Sequence, residues 1–157
     1  MTREQGSMSR FDELFSGRSR LKILFFCTGN SCRSQMAQGF LQKFGGYKWE
    51  IFSAGIETHG LNPRAVQVMQ EAGVDISHHT SDHIDQYRDV EFDYVLTVCD
   101  HAQESCPLFP SSAEKIHHSF RDPANATGSE EEVLNGFRRI RDEIQKFAQQ
   151  FIDRHSD

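Results

Sequence analysis

Residues 21–46 read LKILFFCTGNSCRSQMAQGFLQKFGG and carry the strongest structural signal in the chain. The nearly unbroken apolar run from Leu21 to Phe26 predicts a strand that is buried on both faces of a parallel sheet. A turn-like stretch follows Cys27, and apolar residues then recur at helical spacing until a glycine pair predicts the end of the helix. The stretch therefore predicts a strand, a loop and a helix, with a thiol where the strand ends.

Further apolar runs predict the remaining strands of the sheet. These are Trp49–Ala54, Tyr94–Val98 and the weaker run Lys115–Phe120. The second of them ends at Cys99, as the first strand of the chain ends at Cys27, and a loop with Asp122 follows the last one. Ligands of doubly wound sheets bind outside the carboxyl ends of the strands, so we expect these three residues to converge on one edge.

Helix signals alternate with the strands. Asn62-Pro63 predicts a helix start, Ser129 and Glu132 form a capping box before a long apolar stripe, and residues 81–87 predict a short helix. Strands alternating with helices over short links predict an α/β fold, a single-domain, doubly wound, parallel four-stranded sheet flanked by helices. Residues 21–157 are predicted to form this domain, and residues 1–20 to be a flexible N-terminal extension.

Composition narrows the classes of function. The chain has 157 residues, a net charge of −6 and 37% hydrophobic residues. An acidic protein argues against a nucleic-acid or anionic-membrane partner, because both need a broad basic surface. No segment reaches the ~20 apolar residues of a membrane span, and residues 1–10 lack a signal-peptide core, so we expect a cytoplasmic protein. Thiols stay reduced there, and the four cysteines indicate catalysis, redox chemistry or metal binding.

The loop after the first strand has the composition of an oxyanion site. A helix amino terminus directs unpaired N–H groups at one point, which suits a tetrahedral oxyanion and stabilises a thiolate. Arg33 can bind two substrate oxygens through its planar fork, and Ser34 can donate a hydrogen bond to the sulfur of Cys27. The predicted oxyanion-binding residues are Thr28, Gly29, Asn30, Ser31, Cys32, Arg33 and Ser34.

The cysteines are also compatible with two non-catalytic roles. Cys27 can be a small buried hydrophobic residue, although this leaves the spacing of the glycine and the arginine unexplained. Cys27, Cys32, Cys99 and Cys106 can also form a zinc site, but six residues separate the last two, whereas structural zinc ligands usually stand two to four apart. The adjacent histidine pairs at 78–79 and 117–118 favour surface or core roles over metal binding.

Together these motifs resemble the thioredoxin-coupled arsenate reductases that share the low-molecular-weight tyrosine phosphatase fold. The phrase from Cys27 to Ala37 is similar to the catalytic loop and following helix of that family. Two further places favour a reductase over a phosphatase. Cys99 and Cys106, the latter before a proline, match the redox pair of the reductases, and Asp122 matches the general acid without the tyrosines that follow it in phosphatases.

The resemblance implies a mechanism. Arsenate would bind in the loop against Arg33, Cys27 would attack arsenic, and Asp122 would protonate the departing oxygen. Cys99 would then displace arsenite by forming a disulfide with Cys27, and Cys106 would resolve it into a Cys99–Cys106 disulfide that thioredoxin reduces. The implied partners are arsenate and thioredoxin. Glutaredoxin coupling is a variant, and a tyrosine phosphatase, a thiol sensor and a zinc-binding module are the alternatives.

No tightly bound cofactor is implied, but many of these reductases resemble one another in a potassium site. Asn30, Ser53, Thr80 and Asp82 match its positions, whereas Gln38 stands where the family has a glutamate. A hard cation prefers charged oxygen ligands, so the sequence predicts at most a weak potassium site. Simple turn and cap chemistry would account for these polar residues equally well.

Overall fold

The four strands predicted from the apolar runs form one sheet. A computed structural model describes residues 20–29, 32–98 and 113–155. Within these ranges the strands are β1 (Leu21–Cys27), β2 (Trp49–Gly55), β3 (Tyr94–Thr97) and β4 (Glu114–His117). All pairings are parallel and the spatial order is β2-β1-β3-β4, which confirms the predicted doubly wound α/β class.

Strand β1 lies inside the sheet because it pairs with β2 on one side and β3 on the other. Its residues Ile23 to Cys27 are all buried, and Ile23, Leu24 and Phe25 have no exposed surface. A strand buried on both faces needs a continuous apolar run rather than an alternating one. The central position of β1 carries its last residue, Cys27, to the middle of the carboxyl edge.

Three longer helices accompany the sheet in the described residues: α1 (Arg33–Gly45), α2 (Pro63–Glu71) and α3 (Glu130–His155). Gly46 caps the carboxyl end of helix α1, and its φ of 63° suits glycine. At the start of α2, the side chain of Asn62 accepts hydrogen bonds from the N–H groups of Arg64 and Ala65. The predicted end of α1 and the predicted start of α2 are thus confirmed.

Aromatic side chains cover both faces of β2. The ring of Trp49 packs against Phe151 of α3, at a centroid distance of 5.6 Å. Side chains alternate along a strand, so Phe52, three residues further on, points to the other face. There it contacts Tyr87 and Phe92, with centroids 5.3 and 5.4 Å away. The sheet is therefore packed on both sides, as a doubly wound fold requires.

Several predicted boundaries differ from the structure. The last strand spans Glu114–His117 instead of 115–120, and β3 ends one residue before Val98. The short helix predicted at 81–87 is a single 3₁₀ turn, Ile84–Tyr87. In α2 the buried residues are Ala65, Val68 and Met69, whereas Val66 is half-buried. Ends of elements depend on tertiary pairing that apolar spacing does not encode.

The amino-terminal end of the domain is fixed by Arg20. Its guanidinium donates hydrogen bonds to the backbone oxygens of Tyr47 (3.0 Å) and Trp49 (2.9 Å). The rest of the predicted extension, residues 1–19, lies outside the described residues. Among the helices of the described ranges, none is long and apolar enough to cross a membrane.

The capping box at the start of α3 provides a test of the fold. Ser129 Oγ accepts from the N–H of Glu132 at 3.2 Å, and Glu132 Oε1 accepts from the N–H of Ser129 at 2.8 Å. We expect Ser129→Ala to lower the free energy of unfolding by about 1 kcal/mol, measured by urea titration. Thr127→Ala, at an exposed threonine outside the helix, is the matched control, and equal losses in both variants would contradict the capping role.

Candidate active site

The site begins where β1 ends and α1 starts. Cys27 is the last residue of β1 and Arg33 is the first of α1, so residues 28–32 form the link between them. Cys27 and Cys32 are both buried. The first turn of α1 carries no acidic side chain, and Cys32 at its start makes no side-chain cap. The positive end of this helix is thus not neutralised by a carboxylate of its own first turn.

The sulfur of Cys27 lies 3.2 Å from the hydroxyl oxygen of Ser34, in a buried environment. When the cysteine is a thiolate, it can only accept, and the hydroxyl donates. Such a hydrogen bond favours the charged form of the sulfur, which is the nucleophilic one. The contact predicted from the sequence between these two residues is confirmed.

Arg33 joins the loop to a distant part of the chain. Its Nη1 donates a hydrogen bond to the backbone oxygen of Phe120 at 3.0 Å, and its Nη2 lies 3.5 Å from Asp122 Oδ2. The side chain is only 11% exposed. Its Nε is buried and has no hydrogen-bond partner within the described ranges. A buried guanidinium with an unsatisfied N–H is prepared to bind an additional acceptor, such as an oxyanion oxygen.

Asp122 occupies a defined turn beyond β4. Its Oδ1 accepts a hydrogen bond from the N–H of Ala124 at 2.9 Å, which caps the 3₁₀ turn Pro123–Asn125. Oδ2 faces Arg33, and the side chain is one third exposed. The carboxyl group therefore lies beside the arginine and in contact with solvent, where it can supply a proton to a bound ligand and be reprotonated.

These side chains surround one cavity of about 430 Å³. Its lining consists of Cys27, Thr28, Gly29, Cys32, Arg33, His59, Asp122 and Ala124. The predicted convergence of Cys27 and Asp122 on the carboxyl edge of the sheet is confirmed. The predicted oxyanion residues Asn30 and Ser31, and the redox pair Cys99 and Cys106, lie outside the described residues.

Gln35, which was not predicted from the sequence, stabilises the start of α1. This fully buried side chain donates to the backbone oxygen of Thr80 at 2.8 Å, and its amide oxygen lies 3.0 Å from Nδ1 of His79. Burial, with the neighbouring His78, lowers the pKa of His79, so a neutral ring occupies this contact near pH 7. The helix that carries Arg33 is thereby anchored to the segment after α2.

His59 is the other residue that sequence reasoning missed. It follows β2 by four positions and lines the cavity, although it belongs to no motif of the loop sequence. The available signal was its position: a residue just beyond the carboxyl end of a parallel strand is placed near the ligand edge. Within the described residues, no group of three or more histidine, cysteine, aspartate or glutamate side chains could hold a metal ion.

Asn30 lies outside the described residues, and the other residues matched to a potassium site are already bonded to protein groups. Ser53 donates to the amide oxygen of Gln38 at 2.7 Å, and the amide nitrogen of Gln38 donates to the backbone oxygen of Ile51 at 3.3 Å. A glutamate at position 38 would bring a negative charge, whereas the glutamine directs a hydrogen-bond donor at a carbonyl. This half of the cluster is satisfied without a cation.

The other half of the cluster centres on Asp82. Its Oδ1 accepts from the hydroxyl of Thr80 at 2.8 Å and its Oδ2 accepts from Tyr87 at 2.7 Å. Burial, followed by this hydrogen bond, raises the pKa of Tyr87, so the phenol remains a donor. Asp82 is the one carboxylate of the matched set, and both its oxygens already have donors. A potassium ion would therefore have to share these oxygens with the donors that they already have.

Comparisons with known proteins point to one family. The family model described as low molecular weight phosphotyrosine protein phosphatase matches residues 22–156. An arsenate reductase of Halalkalibacterium halodurans is 53% identical over 131 residues, which cover 83% of this chain and 94% of that protein. An arsenate reductase of Bacillus subtilis is 49% identical over 131 residues, with the same coverage of both chains.

Solved structures agree with this similarity. An arsenate reductase in the phosphate binding state matches with a TM-score of 0.71 and 32% identity, covering 85% of this chain and 98% of that chain. A low molecular weight protein tyrosine phosphatase from T. tengcongensis matches with a TM-score of 0.70 and 27% identity, covering 85% and 99%. Reductases and phosphatases thus share the fold found here.

From the polar cluster around Gln38 we propose that potassium binds weakly at best. We expect potassium chloride to raise the melting temperature no more than sodium chloride at equal ionic strength, because a neutral amide replaces a charged ligand. Gln38→Glu should introduce a potassium-specific gain, measured by thermal denaturation. Gln42→Glu, at an exposed position of the same helix, is the control. A strong potassium-specific gain in the unmodified protein would contradict the proposal.

Proposed function

Because the chain belongs to the low molecular weight phosphotyrosine protein phosphatase family, we propose that it reduces arsenate to arsenite with Cys27 as the nucleophile. The observation that carries the proposal is the identity of about half to relatives named arsenate reductase, over more than four fifths of this chain and nearly all of theirs. The cavity lined by Cys27, Arg33 and Asp122 supplies the chemistry that this reaction needs.

The first step is attack on arsenic. Arsenate binds with its oxygens against Arg33 and the N–H groups at the start of α1, and this draws negative charge away from the arsenic atom. The Cys27 thiolate then forms a sulfur–arsenic bond. Asp122 gives its proton to the departing oxygen, which leaves as water, so Cys27 becomes bonded to arsenic without any change of total charge in the site.

The second step transfers two electrons. Cys99 attacks the sulfur of Cys27, and the electron pair of the sulfur–arsenic bond passes to arsenic, which leaves as arsenite. Cys106 then attacks Cys99, releasing Cys27 as a thiolate and leaving a Cys99–Cys106 disulfide. A thioredoxin dithiol reduces this disulfide by exchange and becomes oxidised itself. The support for this relay is the sequence, because both cysteines lie outside the described residues.

The proposed partner also implies a compartment. A thioredoxin-dependent relay works only where the surroundings keep thiols reduced, so we place the protein in the cytoplasm. Phosphatase activity is the second candidate, because the Cys27 and Arg33 loop and Asp122 would serve phosphate ester hydrolysis equally well. The two candidates differ in their need for Cys99 and Cys106.

The proposed function is tested by coupled turnover. The protein is mixed with thioredoxin, thioredoxin reductase and NADPH, and NADPH oxidation is followed with and without arsenate. Arsenate-dependent oxidation is expected, and Cys27→Ser should abolish it because a hydroxyl is a far poorer nucleophile than a thiolate at neutral pH. Release of nitrophenol from an aryl phosphate, without arsenate-dependent oxidation, would establish the phosphatase instead.

Cys106→Ser should separate the steps of the relay. About one equivalent of arsenite is expected from each protein molecule, after which turnover stops because no thiol resolves the first disulfide. Mass spectrometry of the stalled protein should find Cys27 joined to Cys99. Multiple turnovers of this variant with thioredoxin would show that the relay is wrong.

Asp122→Asn should slow the chemical step because the amide has no proton of suitable acidity to give. General acid catalysis typically contributes about 100- to 10,000-fold, so a loss in this range is expected in single-turnover formation of arsenite. Asp142→Asn, on the exposed surface of α3, is the matched control. An unchanged rate for Asp122→Asn would assign the proton to another group.

A further inference from the structure

The segment after β2 is bonded to the loop that follows β1. The N–H of Glu57 donates to the backbone oxygen of Thr28 at 2.9 Å, and the N–H of His59 donates to that of Gly29 at 3.1 Å. The hydroxyl of Ser81 also donates to Gly29 O, at 3.1 Å. The first half of the loop is thus held by backbone contacts that do not depend on the side chains of Glu57 and His59.

The ring of His59 lies directly over Gly29. A Cβ atom at position 29 would clash with Nδ1, Cγ and Cε1 of this ring, so the absence of a side chain at Gly29 lets the ring lie in this position. The same ring lines the cavity together with Cys27, Arg33 and Asp122. His59 therefore forms part of the wall past which a ligand enters.

The other edge of the ring holds a carboxylate. Nε2 of His59 lies 2.6 Å from Oε1 of Glu57, and because a carboxylate only accepts, the imidazole donates this hydrogen bond. The imidazole ring of His59 therefore lies between the carboxylate of Glu57 and the loop at Gly29. Both side chains are more than half exposed, at 53% and 61%, so neither is required to fill the core.

The charges around the cavity indicate how the position of the Glu57 carboxylate affects the binding of an anion. In the protonation states that the proposed reaction needs, Arg33 contributes one positive charge, and the Cys27 thiolate and an ionised Glu57 contribute one negative charge each, while Asp122 carries the proton that it gives to the departing oxygen. These groups sum to one negative charge beside a site for an anion, and although a hydrogen bond to Glu57 does not itself alter this sum, it fixes where the carboxylate lies. Glu57 is bonded to His59, which lines the cavity, and is not itself among the lining residues. Its negative charge opposes an oxyanion in the cavity less when the imidazole N–H holds the carboxylate in this position.

We propose that His59 is a positioning residue for oxyanion binding: its imidazole holds the Glu57 carboxylate away from the anion and shields the cavity from its charge. The inference rests on the proposed function for the identity of the oxyanion as arsenate. The effect of His59 on the binding of a tetrahedral anion is tested separately with inorganic phosphate, so that test does not require the protein to reduce arsenate.

The experiment is a double-mutant cycle. The reduced forms of the unmodified protein, His59→Ala, Glu57→Gln and the double variant are titrated with inorganic phosphate at fixed pH by calorimetry. The alanine removes the ring and keeps the backbone N–H that binds Gly29. His83→Ala is the matched control, because His83 also pairs with an acidic residue two positions away, Asp85, at 3.4 Å, and lies outside the cavity lining.

The charge-shielding role predicts a non-additive cycle. His59→Ala should weaken phosphate binding by about fivefold, as one unshielded charge near a solvent-exposed anion site would do. The double variant should bind within about twofold of Glu57→Gln, because the charge that needed shielding is gone. Concentrated sodium chloride should reduce the loss in His59→Ala, since exposed charges are screened.

Two results would overturn the proposal. If the double variant binds phosphate as weakly as His59→Ala, the ring contacts the anion itself or supports the loop, and Glu57 has no part in the effect. If His59→Ala binds as tightly as the unmodified protein, the ring has no role in anion binding. Failure of the reductase assay with an intact cycle would reject the proposed reaction and leave the shielding role standing.

In the reductase assay, comparing KM with kcat distinguishes an effect of His59 on arsenate binding from an effect on the chemical step. The KM for arsenate should rise in His59→Ala by a factor similar to the loss of phosphate affinity, and Glu57→Gln should restore it in the double variant. The change in kcat should stay below about twofold, because uniform binding is lost and no proton or electron transfer is removed. A fall in kcat with an unchanged KM would contradict a positioning role.

Discussion

The rest of the site depends on the contacts that the guanidinium of Arg33 makes. This guanidinium connects the loop between β1 and α1 to the backbone oxygen of Phe120 and to the carboxylate of Asp122, 87 and 89 positions further along the chain. The sheet brings these segments to one edge, and the arginine bonds them to each other. A buried cation with one N–H unsatisfied within the described ranges is costly in free energy unless an anion completes its shell. The fold therefore accepts a local cost that a bound oxyanion would offset.

Much of this arrangement could be predicted because it follows from local rules. The apolar run Leu21–Cys27 needs burial on both faces, and this places it inside the sheet and its cysteine at the centre of the edge. Ser129 and Glu132 indicate a helix start through their own hydrogen bonds. Cys27 and Asp122 could be expected to meet because the carboxyl ends of parallel strands share one edge.

The contacts that escaped prediction are those made with backbone groups of remote segments. Nothing in the residue type of Phe120 indicates that its carbonyl oxygen holds Arg33, since every residue has such an oxygen. Gln35 and His59 belong to the same class. Their roles arise because the sheet brings distant segments of the chain close together. The spacing of apolar residues in the sequence does not show which glutamine or histidine will lie at such a contact. The ends of β3 and β4 were misplaced because pairing with neighbours determines where a strand stops.

The separation of Arg33 from Phe120 also has a consequence for synthesis on the ribosome. A chain grows at about 5–20 residues per second, so the 87 positions between them correspond to roughly 4–17 s during which the arginine has no carbonyl to bind. Strand β3, which supports β1 on its open side, also arrives late, since Ile23 pairs with Tyr94. Throughout this interval the emerging polypeptide displays Cys27 without the Arg33 contacts and the cavity that surround it in the folded protein. The cavity that we propose as the active site is thus completed only after Phe120 and Asp122 have been synthesised, 87 and 89 positions after Arg33.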